Sequence, residues 1–323
     1  MDDSRKETEF ISMRYCVSPI FASGNKEIEI EKNEYENLIQ AKADLIEAIL
    51  FEEKVQFLCS NYYDYESCIL DLSLRRMMGE EIKGDIYQSH RGVLNKHIAN
   101  LLSSSRTYLD HGSHHVKQIS YSNSAMDEFD KQRNRHYDES LAYRVMEQLR
   151  NYTQHVGFPV HSITYKHSRD ESERDESERD EKPKLRYSIS PRINPTILIG
   201  DEVFKTNILN ELLNVGKAVP ITPMIREYVE RLLEIHKFAR GKINSRVSNS
   251  IEVIENKLTR LERELDQNCR NGFFLRKYNN KNDSKPAEET SLIKDFIERY
   301  NFLIKNNKDL KNLSIRYVSS NEY

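Results

Sequence analysis

Residues 33–78 read NEYENLIQAKADLIEAILFEEKVQFLCSNYYDYESCILDLSLRRMM, and this stretch decides the fold class of the chain. Its apolar residues recur at spacings of three and four, as on the buried face of a helix, beginning with Leu38, Ala41, Leu45 and Ile49. The pattern predicts either one very long helix or two helices with a break at residues 60–64. Gly79 follows directly and is a typical helix stop. The chain is therefore predicted to be mainly α.

The composition supports a helical protein with wide solvated faces. Apolar residues make up 37% of the 323 residues, below the usual fraction, and charged residues make up 31%, above it. Only 10 glycines and 8 prolines leave little turn chemistry for an all-β fold. The sequence contains no GxGxxG or Walker A loop, so nucleotide-dependent chemistry on such a scaffold is not expected.

Charge and cysteine usage narrow the class of protein further. A net charge of −3 argues against a globally basic nucleic-acid binder, although it is compatible with a local basic patch. The four cysteines form no CxxC pair. Because the sequence has no signal-peptide-like segment and no long apolar run, we expect a cytoplasmic protein without membrane contact.

The chain divides into four predicted segments. They are an N-terminal segment with a short strand at 26–31 (1–32), a helical bundle (33–158), a β-hairpin (159–192) and a second, mostly helical region (193–323). Residues 1–12 are polar and are expected to fray. The predicted fold class is thus mainly α, with a hairpin between two helical regions.

Three more helices are predicted within the bundle. They are expected at residues 85–111, ended by Gly112, at residues 122–138, and at residues 139–156, ended by Gly157 and Pro159. The first of them has an apolar stripe made of Leu94, Ile98, Leu101, Leu102 and Leu109. Its small residues 103–105 would allow a neighbouring helix to approach closely.

The C-terminal half mixes strands and helices. The hairpin strands are predicted at residues 160–165 and 185–189, and Arg-Asp-Glu-Ser-Glu repeats between them, from Arg169 to Glu181, as in a solvated and disordered loop. Further on, helices are predicted at 203–213, 224–238 and 291–304, and strands at 273–277 and 313–318. An apolar 3-4-3-4 seam from Ile251 to Leu265 is interpreted as an intrachain helix pair, with a coiled coil as the alternative.

The helix at 139–156 carries the run Arg-Asn-Tyr-Thr-Gln-His, Arg150 to His155. On a helical projection its core stripe comprises Leu141, Val145, Leu149, Tyr152 and Val156. Asn151 lies one turn before His155 on the flank, and Arg150 lies about opposite the core. Since Arg150 and His155 are about 140° apart, either the long Arg side chain swings toward His155 or a second protomer completes the site.

Arg150, Asn151 and His155 are a minimal set of groups for metal-independent RNA cleavage. A guanidinium binds phosphate oxygens and stabilises a phosphorane. A histidine takes the proton of a ribose 2′-hydroxyl or protonates the leaving 5′-oxygen. Asn151 could orient the imidazole or bond a phosphate. RNA provides its own nucleophile, so we expect neither a metal nor a cofactor.

The run Leu-Arg-Asn-Tyr-Thr-Gln-His resembles the signature of the HEPN superfamily, an Arg followed directly by a polar residue, often Asn, and after four to six residues by a His. Arg150, Asn151 and His155 match those three positions. The resemblance covers roughly residues 33–158 and implies a helical domain with the motif on its last major helix. Residues 142–160 are also similar to a family of poorly characterised bacterial proteins.

The same resemblance implies a function. Members of the superfamily are commonly dimeric, metal-independent ribonucleases of bacterial defence or toxin systems, with two motifs meeting at the dimer interface. RNA, a second copy, and a protein partner or antitoxin are therefore the expected partners. One toxin subgroup has Tyr two residues after the His, where this chain has Gly157, so regulation through a modified tyrosine is in doubt.

Other basic residues have competing interpretations. Arg106 and His111 repeat the Arg-x4-His spacing, and we favour a structural role for them over substrate binding in the same groove. His111, His114 and His115 suggest a metal site, but matching carboxylate or Cys spacing is missing. Arg133, Arg135 and His136 either hold an RNA backbone or solvate a helix face.

Two functions of different classes follow. The first is a dimeric HEPN-like endoribonuclease that uses Arg150, Asn151 and His155. The second is a non-catalytic helical dimerisation or interaction protein, in which Arg150 is a surface residue and His155 is favoured at a helix C-terminus by the helix dipole alone. Cleavage of RNA in EDTA would separate the two.

Overall fold

The computed structural model describes residues 13–20, 27–169, 185–200, 203–265, 269, 271–307, 312–316 and 318. Helices dominate these residues and two small antiparallel sheets accompany them, so the predicted mainly α class with a strand hairpin is confirmed. The predicted fraying of residues 1–12 and the predicted disorder of the Arg-Asp-Glu-Ser-Glu loop fall outside the described residues, except for Arg169 at the start of the repeat.

The elements are as follows in chain order. The helices of the described residues are α1 (Lys32–Met77), α2 (Gly84–Ser120), α3 (Asn123–Glu139), α4 (Leu141–His155), α5 (Thr206–Val215), α6 (Ile221–Leu265) and α7 (Asp295–Asn306). The strands are β1 (Arg14–Pro19), β2 (Ile28–Ile30), β3 (Ser162–Arg169), β4 (Leu185–Ile193), β5 (Val219–Pro220), β6 (Gly272–Tyr278) and β7 (Glu288–Ile293).

The chain forms two compact units, each assembled from three segments. The first unit consists of Met1–Glu52, His115–Ser122 and Arg240–Asn306, and the second of Glu53–His114, Asn123–Ala239 and Asn307–Tyr323. The predicted division had four consecutive segments instead. Residues far apart in sequence pack within each unit, and α1, α2 and α6 each contribute residues to both units, which local patterns do not reveal.

The first long helix is continuous, which decides between the two predicted alternatives. Its central part contains neither Gly nor Pro, and the Tyr62 hydroxyl donates to Glu66 one turn later, at 2.9 Å. The helix ends as predicted at Gly79, which has a φ of +92°. The Glu80 N–H donates to the Arg75 carbonyl at 3.1 Å, as in the Schellman motif that such a glycine completes.

The second helix is longer than predicted, because Gly112 does not end it. The helix continues to Ser120, and Gly112 lies where the ring of Phe129 in α3 crosses α2. A Cβ at position 112 would lie 2.4 Å from Phe129 Cζ. The glycine is therefore explained by close packing and not by helix termination. The predicted apolar stripe of α2 is buried.

Replacement of Gly112 tests this explanation. We expect Gly112→Ala to destabilise the protein by about 1 kcal/mol, because overpacking costs about 1–3 kcal/mol and the better helix propensity returns about 1 kcal/mol. In a Phe129→Leu background the same change should be neutral or stabilising, because the ring that it meets is gone. Urea unfolding of the parent, the two single variants and the double variant measures this coupling, and a loss that is equal in both backgrounds would contradict the packing role.

α6 joins two predicted helices into one. Gly241 lies inside it, and a single helical glycine costs only about 1 kcal/mol, which burial of Ile243 and Val247 outweighs. The apolar seam that follows is buried inside the chain at Ile254 and Leu261, as expected for intrachain packing. No coiled coil is needed to cover it.

Two antiparallel sheets complete the units. The first unit contains the order β2-β1-β6-β7, and the second unit contains β3-β4-β5. The predicted strands at 26–31, at 273–277 and in the hairpin are confirmed. The predicted helix at 291–304 begins too early, because residues 288–293 pair with β6 as β7. The predicted edge strand at 313–318 is wrong, since Leu313–Ile315 form a 3-10 turn.

A buried carboxylate, both of whose oxygens accept hydrogen bonds, lies in the core of the first unit. Asp44 of α1 is 1% exposed. Its Oδ2 accepts from Arg246 Nε at 2.7 Å and from the Ser250 hydroxyl at 2.8 Å. Its Oδ1 accepts from the Tyr121 hydroxyl at 2.6 Å. Three segments of the unit thus share one buried charge.

Candidate active site

The motif helix α4 has well-defined ends. At its start the Ser140 hydroxyl accepts the Tyr143 N–H at 3.0 Å, which is a normal N-cap. At its end the N–H groups of Val156 and Gly157 both donate to the Tyr152 carbonyl, at 2.8 and 3.1 Å. The predicted bounds of 139–156 are confirmed to within two residues.

The buried face of α4 includes more residues than the predicted core stripe. Val145, Leu149 and Tyr152 are buried as expected, but Val156 is 53% exposed because the helix has ended before it. Tyr143, on the side opposite the predicted core stripe, packs edge-on against Tyr228 of α6 with ring centroids 5.0 Å apart.

This packing changes the surroundings of Arg150. Seven residues separate Tyr143 from Arg150, so both lie on one side of the helix. Arg150 is therefore half-buried, whereas the projection had placed it fully outside the bundle.

Arg150 and Asn151 are in direct contact. Arg150 Nη1 donates to Asn151 Oδ1 at 3.0 Å. This bond holds the guanidinium against Asn151, the residue that precedes His155 by one turn. Since the amide oxygen is used, the NH₂ group of Asn151 remains as a donor for an anion.

The charge of Arg150 is not neutralised within the described part of the chain. No carboxylate of these residues pairs with it, and its Nε is buried without an acceptor among them. Arg144, on the same helix, differs in this respect, because its guanidinium lies 2.5 Å from Glu211 Oε2. Glu147, the carboxylate one turn from Arg150, accepts from the Tyr228 hydroxyl at 2.6 Å.

His155 is the last residue of α4 and is exposed. Its position agrees with the preference of cationic side chains for helix C-termini, so position alone does not require catalysis. What sets it apart is the Arg150–Asn151 pair on the preceding turn. Exposure also means that an RNA strand could reach the ring without rearrangement of the core.

The second Arg-x4-His pair is different in its electrostatics. Arg106 binds Asp110 through two nitrogens, at 2.7 and 2.8 Å, and its Nη1 lies 3.6 Å from Glu147 of α4. α2 and α4 therefore meet here, as the groove interpretation required. Two carboxylates nevertheless balance Arg106, which favours the structural role. His111 is exposed on α2.

A third pair with this spacing, Arg231 and His236, lies in α6. Arg231 is within 4 Å of Glu139, Glu227 and Glu234. His236 is 2% exposed and lies 3.4 Å from the Tyr108 hydroxyl. Arg231 is thus balanced by carboxylates and His236 is buried, so the spacing alone does not mark a reaction centre.

The basic residues of α3 are also paired. Arg133 lies 3.3 Å from Asp130 and Arg135 lies 2.9 Å from Glu139, each within one helical turn. Burial lowers the pKa of His136, which lies 3.6 Å from Glu234. These contacts support the solvated-face interpretation for the two arginines over RNA binding.

The histidines at positions 111, 114 and 115 have separate surroundings. His115 is buried, and its Nδ1 lies 2.7 Å from Glu47 Oε1, whereas His111 and His114 are exposed. Within the residues that the structure describes, His, Cys, Asp and Glu side chains form no group of three or more that could hold a metal ion.

The connection after α4 contains residues that the sequence patterns did not single out. Asn95 of α2 accepts the Val160 N–H at 2.8 Å, and the next residue, His161, accepts the Asn194 N–H at its Nδ1 at 3.0 Å. The His161 ring lies edge-on to Tyr152, with centroids 6.2 Å apart. Burial lowers the pKa of His161, and the charge of Arg91 lowers it further. These positions follow no period, so no sequence signal identifies them.

A cleft of about 400 Å³ lies elsewhere in the second unit, between α1 and α2. His90 and His97 line one wall, and Asp64, Asp71 and Arg75 line the other. His90 lies between the Tyr165 hydroxyl, at 3.0 Å, and the Glu80 carboxylate, at 3.1 Å.

The cleft is poorly suited to nucleophilic catalysis. Burial raises the pKa of Cys68, which also lines it, to about 11, so this thiol stays protonated at neutral pH. Neither Arg150 nor His155 lines this cleft.

Two general findings bear on function. Within the described part of the chain, no helix is both long and apolar enough to cross a membrane. Comparison of the chain with protein-family models, curated proteins and solved structures finds no match, so the function is argued from the geometry at the end of α4.

Proposed function

We propose that this protein is a metal-independent endoribonuclease of the HEPN type, which acts on cytoplasmic RNA as a bacterial defence or toxin effector. One observation carries the proposal. Arg150 contacts neutral Asn151 and no carboxylate of the described residues, on the turn before the exposed His155. A cation that is not already balanced is what binding of a phosphodiester requires.

Each side chain has a separate task in the proposed reaction. Arg150 and the NH₂ group of Asn151 bind the non-bridging oxygens of the scissile phosphate and stabilise the charge that develops on them. His155 accepts the proton of the ribose 2′-hydroxyl as the 2′-oxygen attacks phosphorus. The P–O5′ bond then breaks and the 5′-oxygen takes up a proton. The products are a 2′,3′-cyclic phosphate and a 5′-hydroxyl end.

A homodimer is part of the proposal. One imidazole cannot be the base and the acid in the same step, so the partner's His155 in its protonated form would supply the proton for the 5′-oxygen. Val156 and Phe158 directly follow His155, with exposed fractions of 53% and 63%. Large apolar side chains exposed beside a polar site support contact with another protein surface at this end of α4.

The proposal is tested with purified protein and a fluorescent single-stranded RNA of mixed sequence. We expect cleavage to continue undiminished in excess EDTA and to leave 2′,3′-cyclic phosphate ends. Such ends resist phosphatase, and the enzyme removes the terminal phosphate only after acid has opened the ring. Cleavage that stops in EDTA and returns with a divalent ion would show a different mechanism.

A non-catalytic helical interaction protein is the second candidate. The exposure of Val156 and Phe158 favours it equally, because an interface needs no catalytic group. The same preparation distinguishes the two candidates. Intact RNA, together with the molar mass of a dimer in light scattering, would support the interaction protein and reject the enzyme.

A further inference from the structure

A cleft of about 320 Å³ lies in the first unit, between the N-terminal part of α1 and strand β7. The α1 residues that line it recur at spacings of three and four, so they lie on one face of the helix. They are Tyr35, Ile39, Lys42, Ala43 and Ile46. Strand β7 contributes Glu288, Glu289 and Thr290. We call this the Lys42 cleft, and its volume lies at the lower end of the range for small-molecule sites.

The α1 side of the Lys42 cleft is mainly apolar. Ile39 and Ile46 are half-buried and Ala43 is exposed, so part of their apolar surface is accessible to a ligand. Ligand sites typically combine such an apolar wall with a few polar groups that fix the orientation of the ligand. On this wall the polar group is Lys42.

Lys42 is the cation of the cleft. Its ammonium donates to the Thr290 hydroxyl of β7, which leaves two of its three N–H donors. Among the residues that the structure describes, no carboxylate forms an ion pair with Lys42. Burial lowers the pKa of Lys42, because a partly dehydrated ammonium without a negative neighbour is destabilised. An anionic ligand would stabilise the charge at this position.

The two glutamates of the cleft are held by other cations. Glu288 Oε1 lies 2.6 Å from Lys277 Nζ, and the two residues are directly opposite each other in β7 and β6. Glu289 Oε2 lies 2.5 Å from Arg276 Nε. This second pair is part of a neutral group made of Arg14, Glu27, Arg276 and Glu289. Lys42 is therefore the uncompensated charge among the residues that line the cleft.

A carboxylate suits this cation better than a phosphate does. One ammonium and one hydroxyl provide the few donors that a carboxylate needs, because the Thr290 oxygen accepts from Lys42 while its own O–H can donate. A phosphate dianion has more oxygens to satisfy and a larger charge, which the carboxylates of Glu288 and Glu289 beside it would repel. The apolar wall in turn requires a ligand with an apolar body.

We infer that the Lys42 cleft binds a small carboxylic acid with an aromatic or branched apolar body. The carboxylate lies against Lys42 and Thr290, and the body packs against Ile39 and Ile46. The site consists of residues of the first unit and includes none of the three proposed catalytic residues. It therefore does not rest on the proposed function.

The first test titrates the purified full chain with two probes, 3-phenylpropionate and 4-methylpentanoate, in ligand-observed NMR. We expect both acids to bind saturably, with one molecule per chain. The amide 3-phenylpropanamide has the same body without the charge, so it should bind about tenfold more weakly than the acid, because a hydrogen bond between charged groups is lost. The amine 3-phenylpropylamine, with the opposite charge, should bind more weakly still.

Three variants locate the site. Lys42→Met removes the charge but keeps an unbranched side chain, and should weaken binding of 3-phenylpropionate about tenfold. Ala43→Phe fills the cleft and leaves Lys42 in place, so it should abolish measurable binding. Lys32→Met is the matched control, because Lys32 is a lysine of the same helix whose contact is a surface pair with Glu36 at 3.4 Å. This variant should bind the acid as tightly as the parent does.

Several results would overturn the inference. Neither acid binding saturably would do so, and so would an amide or amine that binds as tightly as the acid, because Lys42 would then not select the ligand. Equal affinities of Lys42→Met and Lys32→Met, or full binding by Ala43→Phe, would place the acid elsewhere. Thermal melting verifies that the variants are folded. RNA is absent from these titrations, so failure of the ribonuclease proposal is seen separately.

Discussion

RNA cleavage by His155→Ala is expected to be about 10²–10⁴-fold slower than cleavage by the parent, the usual contribution of a general base. The substitution removes the acceptor for the 2′-hydroxyl proton. It should leave the fold unchanged, because His155 is exposed at the last position of α4. The measurement is the initial rate of fragment formation in EDTA at saturating RNA.

Arg150→Ala is expected to lose about 10²–10³-fold for a separate reason, which is loss of charge stabilisation at the phosphate. Arg150→Lys should recover only part of the rate, because an ammonium cannot make the bidentate contact. Loss of the Arg150 side chain also frees the Asn151 oxygen. A melting temperature within error of the parent is therefore required before the rates are compared.

Gln154→Ala is the matched control for both variants. Gln154 is exposed and adjoins His155 on the same turn, but it lies outside the Arg150, Asn151 and His155 set. Arg106→Gln is the second control, because Arg106 is balanced by Asp110 and Glu147. We expect both controls to cut RNA at near the parental rate. A His155→Ala protein that cuts as fast as Gln154→Ala would exclude His155 from the reaction.

The largest effect on stability is expected for Asp44→Ala, which should lower the free energy of unfolding by about 1–3 kcal/mol. The substitution leaves Arg246 without its partner and the Ser250 and Tyr121 hydroxyls without their acceptor. The Ser250 hydroxyl is buried and cannot turn to water, whereas Arg246 and Tyr121 are partly exposed and can be solvated, which limits the loss. Urea unfolding monitored by circular dichroism measures the change.

Glu36→Ala provides the control for Asp44→Ala. Glu36 is a carboxylate on the same helix, but it is exposed and its contact is a surface pair with Lys32 at 3.4 Å. Such pairs contribute about 0–1 kcal/mol, so the variant should unfold almost as the parent does. Asp44→Asn should fall between the two, since it keeps the shape but not the charge. A loss below about 1 kcal/mol in Asp44→Ala would show that the cluster is not a stabilising feature.

Local patterns were sufficient for most of the helices. Leu38, Ala41 and Leu45 predicted the buried face of α1, and Gly79 predicted its end, because both depend on neighbours within a few residues. The prediction that Gly112 ends a helix was wrong because its role depends on a residue that is distant in the sequence. Its role depends on Phe129, which belongs to another helix, and only the fold brings that ring to the glycine.

In the candidate site, too, the sequence predicts what depends on nearby residues and misses what depends on distant ones. The sequence by itself placed Arg150, Asn151 and His155 at the end of one helix, because i and i+4 positions are fixed by the helical repeat. It could not show that Glu147 is occupied by Arg106 and Tyr228, or that Tyr143 is buried beside Tyr228. Those contacts come from α2 and α6, which lie far from α4 in the sequence.

The sequence alone therefore determined the helical class, the motif helix and the order of groups along it, all of which follow from short-range periodicity. Only the tertiary structure decided which carboxylates of other helices reach each arginine. A carboxylate balances a charge through space, whatever its distance along the chain. That is why Arg106 and Arg231, which reach Glu147 and Glu139 of other helices, are balanced by carboxylates, while Arg150, paired within the described residues only with Asn151, is the candidate for binding phosphate.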